Sequence, residues 1–356
     1  MDNLIALECR FVRQEIHKKR RVLIFRKDVL GDFVIFIPTL KYYREYYKDY
    51  DISLVVNSVC AELTPLFPFI DDVIIFDQKK FRTNFWHRRA FIKNLAQKGF
   101  DVAIYPVYTS EKIGDIIMKD TRAPKVLDFK TIAIPDSLNE LDKNMAFVSN
   151  VVGKPCEALF PTIDVSLLDK KHYEQIYKEY ALESGKYVAV VPGAGATYKM
   201  WQLNKMFEIV DYLVEKGLSV VLSGTTEEQL LGEEIMKQSK HRDKVINLIG
   251  RTSLPSLAHL LAGAKLYFGN DTGTLHLAVA VGTPSIAIMG GGHFGRFFPY
   301  GNLDINRIVF NPNMKCRGDG WKCAEGLSKG EPAPCIKNIS VADVKKEIDA
   351  LLSIVE

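Results

Sequence analysis

Residues 266–276 read LYFGNDTGTLH, and this stretch indicates the kind of fold. The apolar run from Leu266 to Gly269 is typical of a buried parallel strand, and a helical pattern follows from Thr274. The turn Asp271-Thr272-Gly273 lies between them, at the N-terminus of that helix. A strand that passes directly into a helix is the unit from which folds with a parallel sheet are built.

The same unit recurs in two series along the chain. Apolar runs of strand length alternate with helical patterns at residues 22–25, 52–56, 73–76 and 102–105, and again at 187–191, 219–222, 245–248, 266–269 and 285–289. We therefore predict an α/β protein with two Rossmann-like, doubly wound parallel-sheet domains that face a central cleft. A length of 356 residues agrees with two domains, since single hydrophobic cores rarely grow that large.

The domain limits follow from these two series. We predict that the first domain covers residues 1–168 and the second residues 169–340, with a charged helix from Asp169 to Glu183 as the bridge. Residues 341–356 are amphipathic, and we expect this closing helix to pack back on the first domain. Residues 2–20 also suit a helix, for which packing on its own domain is favoured over lying on a membrane surface.

Composition and charge narrow the class of protein. With 47% hydrophobic and 25% charged residues, the chain has the composition of an ordinary globular protein. A net charge of +4 gives no reason to expect nucleic acid, although a locally basic surface would favour anionic partners such as phosphorylated glycolipids. Neither a secretory signal nor a membrane-spanning run is visible, so we expect a cytoplasmic protein.

Three of the six cysteines, Cys316, Cys323 and Cys335, fall close together near the C-terminus. Their spacing is not the paired CxxC of a zinc ribbon. We predict free thiols in a loop-rich segment, with a disulfide or a metal knot as the alternatives.

The turn after the first strand is the first candidate site, because ligands of open α/β sheets bind at the carboxyl ends of strands. It carries Asp28, Gly31 and Asp32. Gly31 lets the backbone approach a ligand closely, and Asp32 is a candidate general base for an acceptor hydroxyl. The alternative is that Asp32 caps the N-terminus of the next helix.

The turn that begins the second series is a candidate phosphate cradle. Residues 192–201 read PGAGATYKMW, in which Gly193, Thr197 and Lys199 would hold an anion together with backbone N–H groups. It is not a Walker loop, because the GKS/T ending is missing. A glycine turn with a solvated lysine is the alternative.

The turn Asp271-Thr272-Gly273 is a second candidate anion site. At a helix N-terminus the dipole and the free N–H groups favour a phosphate or diphosphate. His276 lies about one turn further on and could face the same ligand. The alternative is a capped helix with a satisfied core histidine.

Two further turns give weaker candidates. Glu227 and Glu228 follow a strand-terminal glycine and would bind a ribose, or else serve only as acidic residues at a helix N-terminus. Gly291 and Gly292 belong to a triple glycine after the strand at 285–289, which permits close approach to a ligand such as a donor or acceptor sugar. A flexible turn is the alternative reading of these glycines.

Together these motifs resemble glycosyltransferase family 9, the heptosyltransferases of lipopolysaccharide core assembly. The resemblance spans about residues 22–350. It rests on Leu30-Gly31-Asp32, on Pro192-Gly193 with Lys199 and Trp201, on residues 270–276, and on Gly282-Thr283-Pro284.

The resemblance implies a GT-B fold in which the first domain binds the acceptor and the second binds the nucleotide sugar. It implies Asp32 as the general base, with Asp28 as the other candidate. Lys199 and the 271–273 turn would serve the donor diphosphate, and Glu227 or Glu228 the ribose. It also implies inversion at the anomeric carbon with no catalytic metal and no cofactor beyond the nucleotide-diphosphate sugar as co-substrate.

The implied partners are a nucleotide-sugar donor and a glycolipid acceptor at the inner membrane, where the protein would be peripheral on the inner face. ADP-heptose is the default donor of the family, but Asp28 and Gln202 depart from the family's usual residues. Transfer from another nucleotide sugar and non-catalytic binding of a nucleotide sugar are therefore alternatives. An NAD(P) oxidoreductase is disfavoured, because no complete GxGxxG follows a first strand.

Overall fold

The first sheet lies in the N-terminal half of the chain. The computed structural model of the protein describes residues 19–108, 112–323 and 325–355. The strands of the first sheet are β1 (Arg20–Arg26), β2 (Tyr50–Asn57), β3 (Asp72–Phe76), β4 (Val102–Tyr105) and β5 (Lys125–Asp128). Their order is β3-β2-β1-β4-β5, and every neighbouring pair is parallel.

The second sheet lies in the C-terminal half. Its strands are β6 (Tyr187–Val191), β7 (Ser219–Leu222), β8 (Val245–Asn247), β9 (Leu266–Asn270), β10 (Ser285–Ile288) and β11 (Asn306–Val309). The order β11-β10-β9-β6-β7-β8 is again all parallel. The predicted pair of doubly wound parallel sheets is confirmed, while β5 and β11 are additions at the sheet edges.

The helices of the first half are α1 (Leu30–Phe36), α2 (Thr39–Tyr46), α3 (Gln78–Thr83), α4 (Phe85–Lys98), α5 (Lys112–Asp120) and α6 (Glu140–Val152). Two helical stretches of this half are each split in two. The first breaks at Pro38, which lacks the N–H that a helix interior needs. The second breaks at Asn84, whose side chain accepts the His87 N–H at 3.0 Å and so caps α4.

The helices of the second half are α7 (Lys171–Glu179), α8 (Leu203–Glu215), α9 (Gln229–Gln238), α10 (Leu254–Gly263), α11 (Gly273–Ala280), α12 (Pro334–Lys337) and α13 (Val341–Val355). The predicted bridging helix corresponds to α7. It packs on the second domain, because Tyr173 stacks on His259 at 4.6 Å and the hydroxyls of Tyr177 and Tyr187 lie 2.8 Å apart.

The apolar core has three parts. One cluster fills the outer face of the first sheet beneath α4 and α5, and another fills the outer face of the second sheet beneath α8 and α9. The third runs from α1, α2 and α6 across to α10 and α11, so it joins the two domains. Each sheet is therefore buried on both faces, as its continuous apolar strands predict.

The closing helix α13 corrects one expectation, because it packs on the second domain and not on the first. Val344, Ile348 and Leu351 are buried in the cluster that covers the outer face of the second sheet. The carboxylate of Asp349 accepts the Tyr212 hydroxyl at 2.6 Å and lies 2.8 Å from Lys216 Nζ. The residues just before α13 already pack on the outer face of the second sheet. The apolar side of α13 is therefore buried against that same face.

The link between the two domains runs through residues 153–170. Ile163 N–H donates to the Ala280 carbonyl at 2.8 Å, so the link contacts the second domain well before α7. The predicted helix at residues 2–20 falls almost wholly outside the described residues. Of the helices that the described ranges contain, none has the length and apolarity to cross a membrane.

Candidate active site at the domain interface

The turn after β1 places two carboxylates in different surroundings. Arg26 is 3% exposed, and its Nε lies 2.8 Å from Asp28 Oδ2. Its guanidinium also donates to the backbone carbonyls of Pro106 and Asp32. Asp28 is thus held in an ion pair with a buried cation. Arg26 is hydrogen-bonded to the Asp32 backbone carbonyl, and its charge acts on the Asp32 carboxylate without such a close ion pair.

Asp32 has the electrostatics of a proton acceptor near neutral pH. Burial, and next the negative charge of Asp28, raise the pKa of Asp32 from 3.8 to about 6, against the opposing effect of Arg26. The N-cap of α1 is Val29, and Asp32 lies within the first helical turn. The alternative that Asp32 is an N-cap is therefore wrong.

The turn after β9 leads into α11 with its N-terminus free of a side-chain cap. Thr272 is the N-cap residue, yet its side chain makes no capping hydrogen bond to the helix. Burial raises the pKa of Asp271 to about 6, and the positive charge of Lys199 opposes that shift. The charge of Lys199 thus acts at a helix N-terminus that has no side-chain cap.

The two turns touch each other across the domain interface. A Cβ built on Gly31 would lie 3.0 Å from His276 Cδ2 and 3.3 Å from Gly273 Cα. A Cβ on Gly273 would lie 2.9 Å from Gly31 N. Only glycines allow so close an approach, which brings the N-termini of α1 and α11 together.

His276 is a packing residue of this interface. It is 3% exposed, its Nδ1 lies 3.0 Å from the Tyr300 hydroxyl, and the two rings stack at 5.7 Å. Burial lowers the pKa of His276 to about 4, so the ring is neutral at pH 7. His276 therefore fits the alternative interpretation, a core histidine with its hydrogen bond satisfied, better than the interpretation in which it faces a ligand.

The loop after β6 is anchored by one buried amide. Asn270 Nδ2 donates to the carbonyls of Pro192 and Gly193 at 2.8 and 3.0 Å, and its Oδ1 accepts the Trp201 N–H at 2.9 Å. Asn270 is fully buried and links the ends of β6 and β9.

The loop after β6 carries two of the predicted donor-binding residues, Thr197 and Lys199. Thr197 is exposed, and Lys199 is half-buried with Nζ 5.5 Å from the centre of the Trp321 ring. The Lys199 charge is close enough to affect the pKa values of Asp271 and His293. The structure therefore brings Lys199 toward the 271–273 turn.

The two glutamates after β7 differ in position. The Glu228 carboxylate accepts the Thr225 N–H at 2.7 Å. Its Oε1 lies only 1.7 Å from where a Cβ of Gly193 would be. Glu228 is therefore beside the β6 loop at the carboxyl edge of the sheet, whereas Glu227 is exposed.

The glycines after β10 are covered by protein. A Cβ on Gly291 would lie 2.4 Å from Cys316 Sγ, and one on Gly292 would lie 2.3 Å from the Trp321 ring. Both glycines are buried. The predicted close approach to these glycines exists, but the groups that approach belong to the cysteine-bearing segment. Gly291 and Gly292 are therefore neither part of a flexible turn nor open to a sugar.

Free thiols occur at Cys316, Cys323 and Cys335, as predicted. Cys335 Sγ accepts the Gly291 N–H at 3.3 Å, which ties this segment to β10. Within residues 19–108, 112–323 and 325–355, no group of three His, Cys, Asp or Glu side chains is arranged to hold a metal ion.

Sequence reasoning missed several residues that build the site. Arg26 follows an apolar strand run directly, and a charge in that position is a signal of a buried ion pair. Asn270 belongs to the quoted motif but gave no sign of its three hydrogen bonds. Glu140 and Arg296, which join the domains by a salt bridge of 2.8 Å, are far apart in sequence and carried no signal.

Two parallel-sheet domains that meet at the carboxyl edges of their strands define a GT-B fold. The sequence model of the family described as glycosyltransferase family 9 (heptosyltransferase) matches residues 88–324 of this chain. The chain belongs to this family.

Individual relatives agree with the family assignment. Lipopolysaccharide heptosyltransferase 3 of Escherichia coli is 32% identical over 167 residues, which is 47% of each protein. The aligned part therefore spans about half the length of that curated relative. The solved structure of E. coli ADP-heptose lps heptosyltransferase II has a TM-score of 0.72 and 18% identity, covering 94% of this chain and 99% of that one. A family 9 glycosyl transferase from Veillonella parvula DSM 2008 has a TM-score of 0.77 and 19% identity, with 94% and 98% covered.

Proposed function

We propose that the protein transfers a heptosyl group from ADP-heptose to a lipopolysaccharide core or related glycolipid acceptor, with inversion at the anomeric carbon. The family membership and the names of the relatives support the reaction class. The observation that carries the proposal is the contact between Gly31 and Gly273. It joins the turn that holds Asp32 to the turn that holds Asp271.

Asp32 is the proposed general base. A base works best when its pKa lies near the working pH, and a pKa of about 6 leaves Asp32 mostly ionised at pH 7. Asp28 is the poorer candidate, because its carboxylate is already engaged by the buried Arg26 guanidinium.

The donor diphosphate is proposed to lie at the N-terminus of α11. The backbone N–H groups of the first turn and the helix dipole favour an anion there, and Lys199 adds a positive charge. Thr272 and Gly273 belong to this turn, and Gly193 and Thr197 belong to the loop beside it. Asp271 would hold Lys199 in place through the attraction between their charges.

Glu228 is the proposed ligand of the donor ribose, and Glu227 is not. Ribose hydroxyls suit a fixed carboxylate, and Glu228 is fixed by the Thr225 N–H at the strand edge. Glu227 is exposed to solvent, and the groups that hold its carboxylate are its own backbone N–H and the Thr225 hydroxyl. By contrast, Glu228 also lies beside Gly193 of the β6 loop.

The chemistry follows as a single displacement. The acceptor hydroxyl oxygen attacks the anomeric carbon and forms the new glycosidic bond, while its proton passes to Asp32. The bond from that carbon to the diphosphate breaks, and ADP leaves with the electron pair. Lys199 and the α11 N–H groups stabilise the charge that develops on the leaving diphosphate. Attack from the opposite face gives inversion.

We further propose that the reaction needs neither a metal ion nor a cofactor. The positive charge that a metal would offer to the leaving diphosphate is supplied by Lys199 and the helix N-terminus. The cysteine-bearing segment is then a structural cover over β10. The acceptor is proposed to reach the site from the inner face of the inner membrane.

The test combines donor binding with turnover. Purified protein is titrated calorimetrically with ADP, UDP, GDP and ADP-heptose, and ADP release is then followed with a heptose-deficient core acceptor, with and without a chelator. We expect tight binding of ADP forms, loss of that binding in Asp271→Ala, and chelator-resistant transfer. The product is examined by NMR, which reports the anomeric configuration directly.

Other results would redirect the proposal. Preference for UDP or GDP would overturn ADP-heptose as donor and keep a transferase of another nucleotide sugar. Donor binding without any turnover would favour a non-catalytic binder. Activity that disappears with the chelator and returns with one added metal would overturn metal independence.

A further inference from the structure

The positive charge of this protein is concentrated in one short segment. Residues 78–98, which form α3 and α4, contain seven Lys and Arg and no Asp or Glu. Since the whole chain carries +4 and this segment carries +7, the remainder carries −3. Lys80 and Lys98 are paired with Asp77 and Asp72, which lie just outside the segment. The local positive field therefore comes from the cations outside these two pairs.

The outward face of α4 combines this charge with exposed aromatic rings. At about 100° per residue, Phe85, Arg89, Lys93 and Trp86 fall within an arc of about 100°. Trp86 is 75% exposed and Phe85 54%, although rings of this size are usually covered. The opposite side of α4 is the one buried in the core.

A groove of about 560 Å³ runs along this face between α4 and the end of α5. Arg88, Arg89, Lys93 and Arg122 line it, and Asp120 is the acidic residue that the described part of its lining contains. For Arg89, Lys93 and Arg122, the described residues provide no carboxylate within salt-bridge distance. The groove therefore offers cations that the protein itself does not neutralise.

We propose that this face docks the protein on an anionic lipid bilayer. Anionic headgroups complement the groove cations, and each basic residue held near such a surface adds to the attraction. Trp and Phe rings beside them suit the boundary between headgroups and acyl chains, where amphipathic rings are favoured. Single-stranded nucleic acid can also be bound by cations and aromatic rings together, so its binding is made an outcome of the test below.

The orientation of α4 places the docking face at the same edge of the sheet as the candidate active site. Because α4 connects β3 to the parallel strand β4, it runs antiparallel to them, and Phe85 and Trp86 lie toward the carboxyl edge of the sheet. Asp32 lies at that same edge. A bilayer on this face would bring a membrane-embedded acceptor toward Asp32; this use rests on the proposed function, whereas the docking itself does not.

Vesicle binding tests the docking without reference to transfer. The full chain is sedimented with vesicles of phosphatidylcholine containing 30% phosphatidylglycerol, and with pure phosphatidylcholine, at low and high salt. We expect salt-sensitive binding to the anionic vesicles alone. The triple variant Arg89→Ser, Lys93→Ser, Arg122→Ser should bind at least tenfold more weakly. The triple control Lys170→Ser, Lys171→Ser, Lys178→Ser, which removes three exposed lysines at α7, should bind as the wild type does.

Tryptophan quenching locates the contact. Trp201 is 1% exposed and Trp321 half-buried, so Trp86 is the tryptophan that lipids brominated on their acyl chains should quench. Trp86→Phe should abolish that quenching and leave most of the binding, with all variants matched to wild type by thermal melting.

Several results would overturn the docking. These are equal binding to neutral vesicles, no binding at low salt, and undiminished binding by the triple variant. Binding of a single-stranded oligonucleotide that the triple variant loses, without vesicle binding, would assign the face to nucleic acid. Transfer to a soluble, deacylated acceptor is measured in parallel, so failure of docking and failure of the proposed function are seen separately.

Discussion

Arg296 in the second domain and Glu140 in the first are joined through both their side chains and their backbones. Arg296 Nη2 lies 2.8 Å from Glu140 Oε1, and the Glu140 N–H donates to the Arg296 carbonyl at 2.9 Å. The Glu140 side chain is 7% exposed, and Lys143 Nζ lies 3.7 Å from the same oxygen. The two residues thus fix one domain against the other, and their charges also act on Asp32, where Glu140 raises the pKa and Arg296 lowers it.

Arg296→Ala and Glu140→Gln are expected to destabilise the protein alike but to shift its pH dependence in opposite directions. Loss of the half-buried pair should cost about 1–3 kcal/mol of unfolding free energy in urea denaturation. Loss of Arg296 should raise the pKa of Asp32 and move the acidic limb of the transfer rate to higher pH. Loss of Glu140 should move that limb to lower pH.

The exposed pair Lys337 and Glu331, with nitrogen and oxygen 3.4 Å apart, provides the control. Lys337→Ala should change stability by less than about 0.5 kcal/mol and leave the pH profile in place. Shifts of the same sign in Arg296→Ala and Glu140→Gln would contradict the electrostatic link to Asp32.

Asp32→Asn is expected to lose activity and gain stability at neutral pH. Removal of a general base should lower the transfer rate by about 10²–10⁴-fold and abolish the acidic limb near pH 6. The folded-state pKa of about 6 lies above the ordinary 3.8, so folding disfavours the ionised form. The wild type therefore loses stability as pH rises from about 4 to 6, and this deficit persists above pH 6.

Because asparagine does not ionise, the variant should escape that deficit. It should be more stable than the wild type at pH 7, by at most about 3 kcal/mol, and the difference should vanish toward pH 4. Denaturation at both pH values measures this, with the exposed Asp304→Asn as control. A variant that is less stable at pH 7 would show that Asp32 is held by favourable contacts and not merely by burial.

Glu228→Gln is expected to weaken ADP binding far more than Glu227→Gln. A charge-assisted hydrogen bond to ribose contributes about 1.5–3 kcal/mol, so Kd should rise about tenfold or more for Glu228→Gln. For the exposed Glu227 the change should stay below about twofold. Titration calorimetry with ADP and with inorganic pyrophosphate separates the roles, because pyrophosphate lacks the ribose and should bind both variants equally. The reverse ranking for ADP would assign the ribose to Glu227.

The central part of the site was predictable because parallel sheets impose it. Strands that run in one direction bring their following turns to one edge, so Asp32 and Lys199 could be placed from the strand pattern alone. The same rule located Asp271 at a helix N-terminus. These statements need only the period of the apolar residues and the position of the turns.

Other features depend on how distant segments return to the core. Nothing in the amphipathic pattern of α13 tells which domain its apolar stripe meets. The position of the preceding residues decides it, because the Trp201 indole N–H donates to the Ile339 carbonyl just before α13 begins. Likewise, Gly291 allows a close approach but does not specify what approaches; here it is Cys316. The ion pair of Arg26 with Asp28 distinguishes this carboxylate from that of Asp32, whereas the sequence kept Asp28 as the other candidate base.

Asn270 provides the last prediction, because it connects the fold to the donor site. Its amide makes three hydrogen bonds in full burial, to Pro192, Gly193 and Trp201. Asn270→Ala leaves two carbonyls and one N–H without partners and should lower the unfolding free energy by about 2–4 kcal/mol. Asn150→Ala, which removes an exposed amide on α6, should change it by less than about 0.5 kcal/mol.

The same change should weaken the donor site, because the loop that carries Lys199 loses its anchor to β9. Asn270→Asp retains the oxygen that accepts the Trp201 N–H but loses both bonds to Pro192 and Gly193. We therefore expect ADP affinity to fall in both variants, at a temperature where each is fully folded by circular dichroism. If both variants were destabilised but bound ADP with wild-type affinity, Asn270 would hold the domain together without positioning Lys199, and the donor would have to rely on the α11 N-terminus alone.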